Sequence, residues 1–233
     1  MGPGRVLEPE LMDDPALEAS AHRDALRALA RINRLSLAAG RVWREVRRVH
    51  REHGRRVRVL DLACGGGDIL VAVARRAARS GIPLQAEGWD ISPRAVAVAR
   101  HAAAAAGAEV AFSTSDALTA ALPGDLDVLS CALFLHHLSE TDAEALLRRV
   151  REASPRVFLL QDLRRSSVGC ALAWLTLHTL VRSPVARVDG LRSVRAAFTP
   201  QEVGALAVAA GLEGARVRRV WPQRFELRWS GRR

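Results

Sequence analysis

The sequence predicts an α/β fold, a mostly parallel sheet with helices on both faces, and three observations carry that reading. From residue 57 onward, short apolar runs alternate with helix-patterned segments. The first run, Val57–Leu62, passes directly into the turn Cys64-Gly65-Gly66-Gly67-Asp68. Later segments open on helix-start signals, Ser92-Pro93 and Thr199-Pro200-Gln201-Glu202. Strands that alternate with helices pair in parallel, because each crossover returns the chain to the same end of the sheet.

Taken in order, residues 16–30 and 35–50 place apolar side chains three and four apart and predict helices. Residues 47–58 are densely basic and contain Gly54, which marks a linker and divides the chain into an extension (1–52) and a main domain (53–233). Residues 57–62 form a strand and 68–78 a helix; 83–89 form a second strand closed by Asp90. Ser92 is suited to an N-cap, Pro93 to the first helical position and Gly107 to the helix stop. Strands follow at 109–113 and 126–131, then a helix over 139–151 opened by the box Ser139-Glu140-Thr141-Asp142, then a strand at 156–161. Residues 168–181 are the most apolar stretch, interrupted by His178 and shorter than the roughly 20 residues that span a bilayer. A buried or interfacial helix is expected there. Residues 189–195 read as a loop able to close over a pocket, and 199 opens another helix. Strands at 215–220 and 224–229 end the pattern.

With 233 residues, 49% of them hydrophobic, the chain buries a core of its own and fits one domain with an appendage. There is no lysine, so all 35 basic side chains are arginine; against 25 acids they leave a formal charge of +10. That excess reflects either a compositional habit of the genome or an anionic partner, nucleic acid or a membrane surface. Cys64, Cys131 and Cys170 stand singly in apolar settings without ligand spacing, as reduced thiols of a cytoplasmic protein do, and no metal is expected. Residues 1–14 carry more acid than base and no apolar run, so no secretory signal is read there.

The glycine turn after a buried strand lets backbone N–H groups and a helix N-terminus approach a ligand at the carboxyl edge of the sheet. A dinucleotide fingerprint would need a third glycine where Leu70 stands, which disfavours NAD. Asp61, Ala63, Gly65 and Gly67 resemble the first motif of class I S-adenosylmethionine-dependent methyltransferases, an acid followed by GxGxG, with Ala63 in place of the first glycine. Gly88-Trp89-Asp90-Ile91-Ser92 resembles the second motif, and Ser115-Asp116-Ala117 the third. The resemblance spans residues 55–232. It implies a Rossmann-like, seven-stranded sheet whose last strand is antiparallel. It implies S-adenosylmethionine as cofactor, with S-adenosylhomocysteine as product, and Asp90 and Ile91 at the ribose, Asp116 and Ala117 at adenine, and Leu133 completing the cofactor pocket.

Residues 129–138, LSCALFLHHL, resemble the fourth motif of small-molecule methyltransferases of quinone and polyketide pathways, not the Pro-Pro-aromatic form of enzymes that methylate amino groups. A phenolic hydroxyl must lose a proton as it is methylated, and histidine is suited to receive it at neutral pH. His137 is the expected base or acceptor contact and His136 a supporting residue, since adjacent side chains do not readily point the same way. Asp162 lies at the end of the fifth strand, facing the same crevice, and Trp174 and His178 are expected to wall an acceptor pocket. Residues 10–15 with 31–34 resemble the leading region of bacterial methyltransferases of type III polyketide pathways, which implies an N-terminal helical lid and a greasy, lipid-like acceptor able to bring peripheral membrane contact.

The leading expectation is therefore an O-methyltransferase of a small phenolic or polyketide-derived molecule, a monomer or homodimer. An RNA methyltransferase is the main alternative. The charge favours it; 4% aromatics and no tyrosine oppose it, because readers of single-stranded RNA stack bases on rings. C- or N-methylation of a small molecule, or a cofactor-binding protein without turnover, are the remaining readings.

Overall fold

The structure, a computed structural model, describes residues 4–231 apart from 15, 19, 22, 23, 26–36 and 182. Most of the helix expected at 16–30 and the segment 31–34 therefore lie outside the described residues. One seven-stranded sheet organises the chain, in the order β3-β2-β1-β4-β5-β7-β6. Its strands are β1 (Val57–Leu62), β2 (Leu84–Asp90), β3 (Ala111–Thr114), β4 (Val128–Ala132), β5 (Val157–Leu163), β6 (Arg216–Val220) and β7 (Arg224–Trp229). The first five run parallel, and β7 pairs antiparallel with both β5 and β6. The order reverses between β1 and β4, so their carboxyl ends flank the crevice where open α/β sheets bind ligands.

The helices are α1 (Ala38–His53), α2 (Asp68–Arg79), α3 (Pro93–Ala105), α4 (Glu140–Ala153), α5 (Ser167–Leu180), α6 (Pro184–Ala196) and α7 (Pro200–Ala209). The period-2 alternation of strand side chains sorts them into two cores. Val57, Val59, Val128, Val157 and Leu159 pack against α1, α2 and α3. Leu60, Leu62, Leu129, Phe158 and Leu160 pack against α4 and α7 on the other face. Caps set several helix starts: Ser92 Oγ accepts from Ala95 N at 3.3 Å, and Thr199 with Glu202 makes a reciprocal capping box. At α4 the box is not reciprocal. Ser139 Oγ accepts from Asp142 N at 3.0 Å, while the Asp142 carboxylate takes the Ser139 hydroxyl proton instead of the N-cap amide.

The basic linker proves short. Helix α1 runs to His53, Gly54 closes it in the left-handed conformation (φ 65°), and β1 starts three residues later. The boundary expected between residues 52 and 53 falls in the last turn of α1, a helix whose Ala38, Val42, Val46 and Val49 belong to the sheet's own core. Part of the arginine excess is also structural. Buried Asp127, just before β4, is forked by Arg55 at 2.7 and 2.9 Å, held by Arg58 N at 2.9 Å and paired with Arg156 at 3.1 Å.

Residues 189–195, expected as a loop, are helical within α6. Within it α5 packs closely on Gly190, where a Cβ would stand 2.8 Å from Leu177 Cδ1. Helix α5 is where the apolar stretch was expected to be buried or interfacial; it turns Leu177 inward and leaves Val168, Leu172, Trp174 and Leu175 about half exposed. No helix among the described residues is long and apolar enough to cross a membrane. All three cysteines are free thiols, Cys64 and Cys131 buried and Cys170 partly so.

Candidate active site

The turn after β1 is built from alternate left-handed residues: Ala63 (φ 51°), Gly65 (φ 53°) and Gly67 (φ 73°). Trp89 O on β2 holds Cys64 N at 2.8 Å, and Cys64 O takes Gly67 N at 2.9 Å. The glycines serve different needs. At Gly67 a Cβ would lie 2.7 Å from Phe112 Cζ and 2.9 Å from Ala99 Cβ, so close packing beneath α2 excludes a side chain. At Gly65 nothing lies within 4 Å of that position, which leaves an open backbone face toward the crevice. Ala63 holds a conformation that costs an L-residue roughly 1 kcal/mol, in the position where the resembled motif has glycine.

Several acids stand at this edge of the sheet. Asp90, at the end of β2, accepts from Gly65 N at 2.8 Å and from Ser92 N at 2.9 Å. Each carboxylate oxygen keeps acceptor capacity beyond those bonds. Asp61 is buried and takes the Ser130 hydroxyl at 2.5 Å. Burial pushes its pKa up to about 7; Ser130 opposes that shift, and Asp68 and Asp90 reinforce it. Asp61, Asp68 and Asp90 thus place negative charge beside the open glycine turn, which favours a cation there. Asp116, after β3, accepts from Leu118 N at 2.8 Å and from the Thr119 hydroxyl at 3.0 Å, which orients it at the same edge, with Ala117 buried behind it. Ile91, next to Asp90, is 67% exposed, an apolar surface available to a flat ring. The open backbone, the anionic surround and this uncovered side chain fit a nucleoside carrying a sulfonium and an ammonium group.

The second half of the site lies after β4. Leu133, in the left-handed region (φ 57°), breaks the strand, its amide bonded to Gln161 O at 2.9 Å, and residues Leu135–His137 coil into a 3-10 turn. That turn brings both rings round together, with centroids 4.3 Å apart, contrary to the expectation that the adjacent pair would diverge. His136 is buried: its Nδ1 lies 2.7 Å from Asp162 Oδ1 and its Nε2 3.7 Å from Glu10 Oε1. The His136 amide also donates to Asp162 Oδ2 at 3.1 Å. Burial alone would lower the His136 pKa, but the two carboxylates outweigh it and raise it to about 9. Burial likewise works against ionisation of Asp162 and Glu10, and His136 overcomes it, so both carboxyl groups titrate below their usual range. His137 keeps 28% of its side chain exposed, its Nε2 3.9 Å from Glu10 Oε2.

Glu10 is the member of this cluster to which the sequence assigns no role. It arrives on an N-terminal strap latched to α6. Asp189 accepts from Leu11 N at 2.7 Å and Met12 N at 3.0 Å, and Ser193 Oγ donates to Glu10. Arg5 anchors the strap further by bonding Ala196 O at 2.6 Å and lying 3.8 Å over the Phe198 ring. Glu10 had been read only as part of a leading-region resemblance; no spacing links it to residues more than a hundred positions away. Trp174 and His178, expected to wall a pocket, stack on each other at 4.7 Å on the exposed side of α5.

Comparison with known proteins agrees with this architecture. Residues 59–154 match the family described as methyltransferase domain. The ubiquinone biosynthesis O-methyltransferase of Pseudomonas putida is 29% identical over 161 residues, covering 67% of this chain and 64% of that protein. The chain thus spans just under two thirds of that relative's length. Among solved structures, the plantazolicin methyltransferase BpumL in complex with a monoazolic desmethylPZN analog and SAH superposes with a TM-score of 0.64 at 13% identity, covering 91% of this chain and 90% of that one. The magnesium protoporphyrin IX methyltransferase ChlM of Synechocystis with bound SAH gives 0.60 at 16% identity, covering 95% and 91%. At these identities the structural likenesses speak for the fold. Sheet order and glycine turn agree with the methyltransferase domain matched over residues 59–154.

Proposed function

We propose that the chain transfers a methyl group from S-adenosylmethionine to a hydroxyl of a small phenolic acceptor. The observation that carries this is the placement of a Glu10–His136–His137 cluster at the carboxyl end of β4, beside the glycine turn at the end of its neighbour β1. Asp90 and Gly65 would hold the ribose side of the cofactor, Asp116 and Ala117 its adenine, Leu133 a wall of the pocket, and Asp61 the charge of its amino acid end. The cofactor, when bound, supplies an electrophilic methyl on a sulfonium. The chain's task is then to align the acceptor oxygen with that methyl at near-attack distance and to receive the hydroxyl proton. His137, with an exposed edge, is the member of the cluster an acceptor can reach, and it takes the proton as the oxygen–methyl bond forms. His136, enclosed between Asp162 and Glu10, fixes the geometry. The O-methyltransferase relatives support the hydroxyl as acceptor, and the half-exposed apolar side of α5 supports a lipid-like acceptor met at a membrane surface. His137→Ala is expected to lower turnover of a phenolic substrate by about 10²-fold with affinity for S-adenosylhomocysteine intact; an undiminished rate would remove it from the chemistry.

A further inference from the structure

We infer that Glu10, His136 and His137 form a binding site for a divalent transition-metal cation, open on the side that faces the acceptor. Binding itself is independent of the methyl-transfer reading; only its catalytic consequence rests on that reading.

The ligand set is an oxygen and two imidazole nitrogens, and one ligand atom from each residue falls within 4.8 Å of the others. Glu10 Oε1 lies 3.7 Å from His136 Nε2, and Glu10 Oε2 lies 3.9 Å from His137 Nε2. Ligands about 2.0–2.2 Å from one ion stand roughly 3.4 Å apart, so the three groups need to close by an ångström or so. Two features make this more than a chance encounter of polar side chains. Asp162 holds the far nitrogen of His136 at 2.7 Å, the outer carboxylate that orients a ligating imidazole and fixes its tautomer. Ser193 holds the Glu10 carboxylate in the same way, from α6. Both outer partners are buried, as are Glu10 and His136. An NNO set leaves positions vacant for an outside oxygen, as catalytic sites do. Imidazole ligands select zinc, copper, iron or nickel in preference to magnesium or calcium, whose sites are built from oxygen.

The catalytic consequence follows. An acceptor hydroxyl that takes a vacant position binds as its oxyanion, and its proton is released to solvent instead of being received at His137. The oxygen then attacks the methyl group with its charge held in place by the cation. The fold adds a second consequence: one of the three ligands belongs to the N-terminal strap, so the ion would tie that strap down over the site.

The test uses the full chain, stripped with a chelator and titrated with Zn²⁺ by calorimetry, with Mg²⁺ as the hard-cation control. The expected result is one equivalent of Zn²⁺ bound at low micromolar concentration or tighter, and no saturable uptake of Mg²⁺. Glu10→Gln and His137→Gln should each weaken Zn²⁺ binding at least tenfold, and Asp162→Asn by about 10- to 100-fold. Co²⁺ should give visible d–d absorption that Glu10→Gln abolishes. S-adenosylhomocysteine affinity, measured on the same samples, should stay unchanged in Glu10→Gln and His137→Gln. Absence of saturable Zn²⁺ uptake overturns the proposal, as does uptake that these variants leave unaltered, which would assign the metal to exposed histidines such as His50 and His53. Zn²⁺ binding without cofactor binding would instead sustain the metal site and sink the methyl-transfer reading.

Discussion

Ala63 departs from the resembled motif by a single methyl group and keeps a left-handed backbone. Its φ of 51° is a glycine conformation, and the strain of roughly 1 kcal/mol is close to what glycine would lose through its freer unfolded chain. Ala63→Gly should therefore move stability by less than about 0.5 kcal/mol, whereas the β-branched Ala63→Val should cost about 2 kcal/mol or more; thermal melts of the two variants distinguish these outcomes. Asp61 carries a prediction of a different kind. Its pKa of about 7 means that, between pH 4 and 7, the folded protein without ligand holds a proton that the unfolded chain has released. Stability from this group therefore falls as pH rises through that window. A cationic cofactor favours the ionised carboxylate, so affinity should tighten by up to tenfold per unit as pH climbs toward 7 and then level off. In Asp61→Asn the slope should vanish; a slope that persists would place the titrating group elsewhere.

At the scale of elements, what was legible depended on whether the signal was local. The turn after β1, the acids at Asp90 and Asp116 and the caps at Ser92 and Thr199 are each written within a few residues, and the structure places all of them at the expected strand and helix ends. Helix α6 runs through a segment expected as a loop, and the close packing on its Gly190 comes from Leu177 on the preceding helix, thirteen positions away. Nothing in the sequence marks Glu10 on the strap, because its partners His136, Asp189 and Ser193 meet it only in the folded chain. Arg5→Ala, which removes the bond to Ala196 O and the stacking on Phe198, should loosen the strap and raise KM for the acceptor several-fold with cofactor affinity unchanged. Steady-state kinetics check this; an unaltered KM would show that the bonds from Asp189 and Ser193 hold the strap without Arg5. The cluster at Asp127 is a test of stability instead of activity. Asp127→Ala leaves three guanidinium and amide donors without their shared acceptor and should cost roughly 2 to 4 kcal/mol, read from denaturant unfolding.

For the molecule as a whole, the carboxyl edge of the sheet gathers the glycine turn, Asp61, Asp90, Asp116 and a histidine cluster, at or just beyond the ends of β1 to β4. Helix α5 is the part of the surface this arrangement leaves unexplained by packing, with Trp174 55% and Leu175 53% exposed in a chain of charge +10. Contact with an anionic bilayer predicts co-sedimentation with anionic but not zwitterionic vesicles, lost at high salt and in Trp174→Glu; a concentration-dependent dimer without vesicle binding would assign that face to a second copy. The central claim remains that the glycine turn and its acids hold S-adenosylmethionine. Isothermal titration of the full chain with S-adenosylmethionine, S-adenosylhomocysteine and NADH tests it most directly. The account predicts micromolar binding of the first two, none of the third, and a loss of about 2 kcal/mol or more in Asp90→Ala. Failure of both adenosyl ligands to bind, or equal binding by the Asp90→Ala variant, would contradict it.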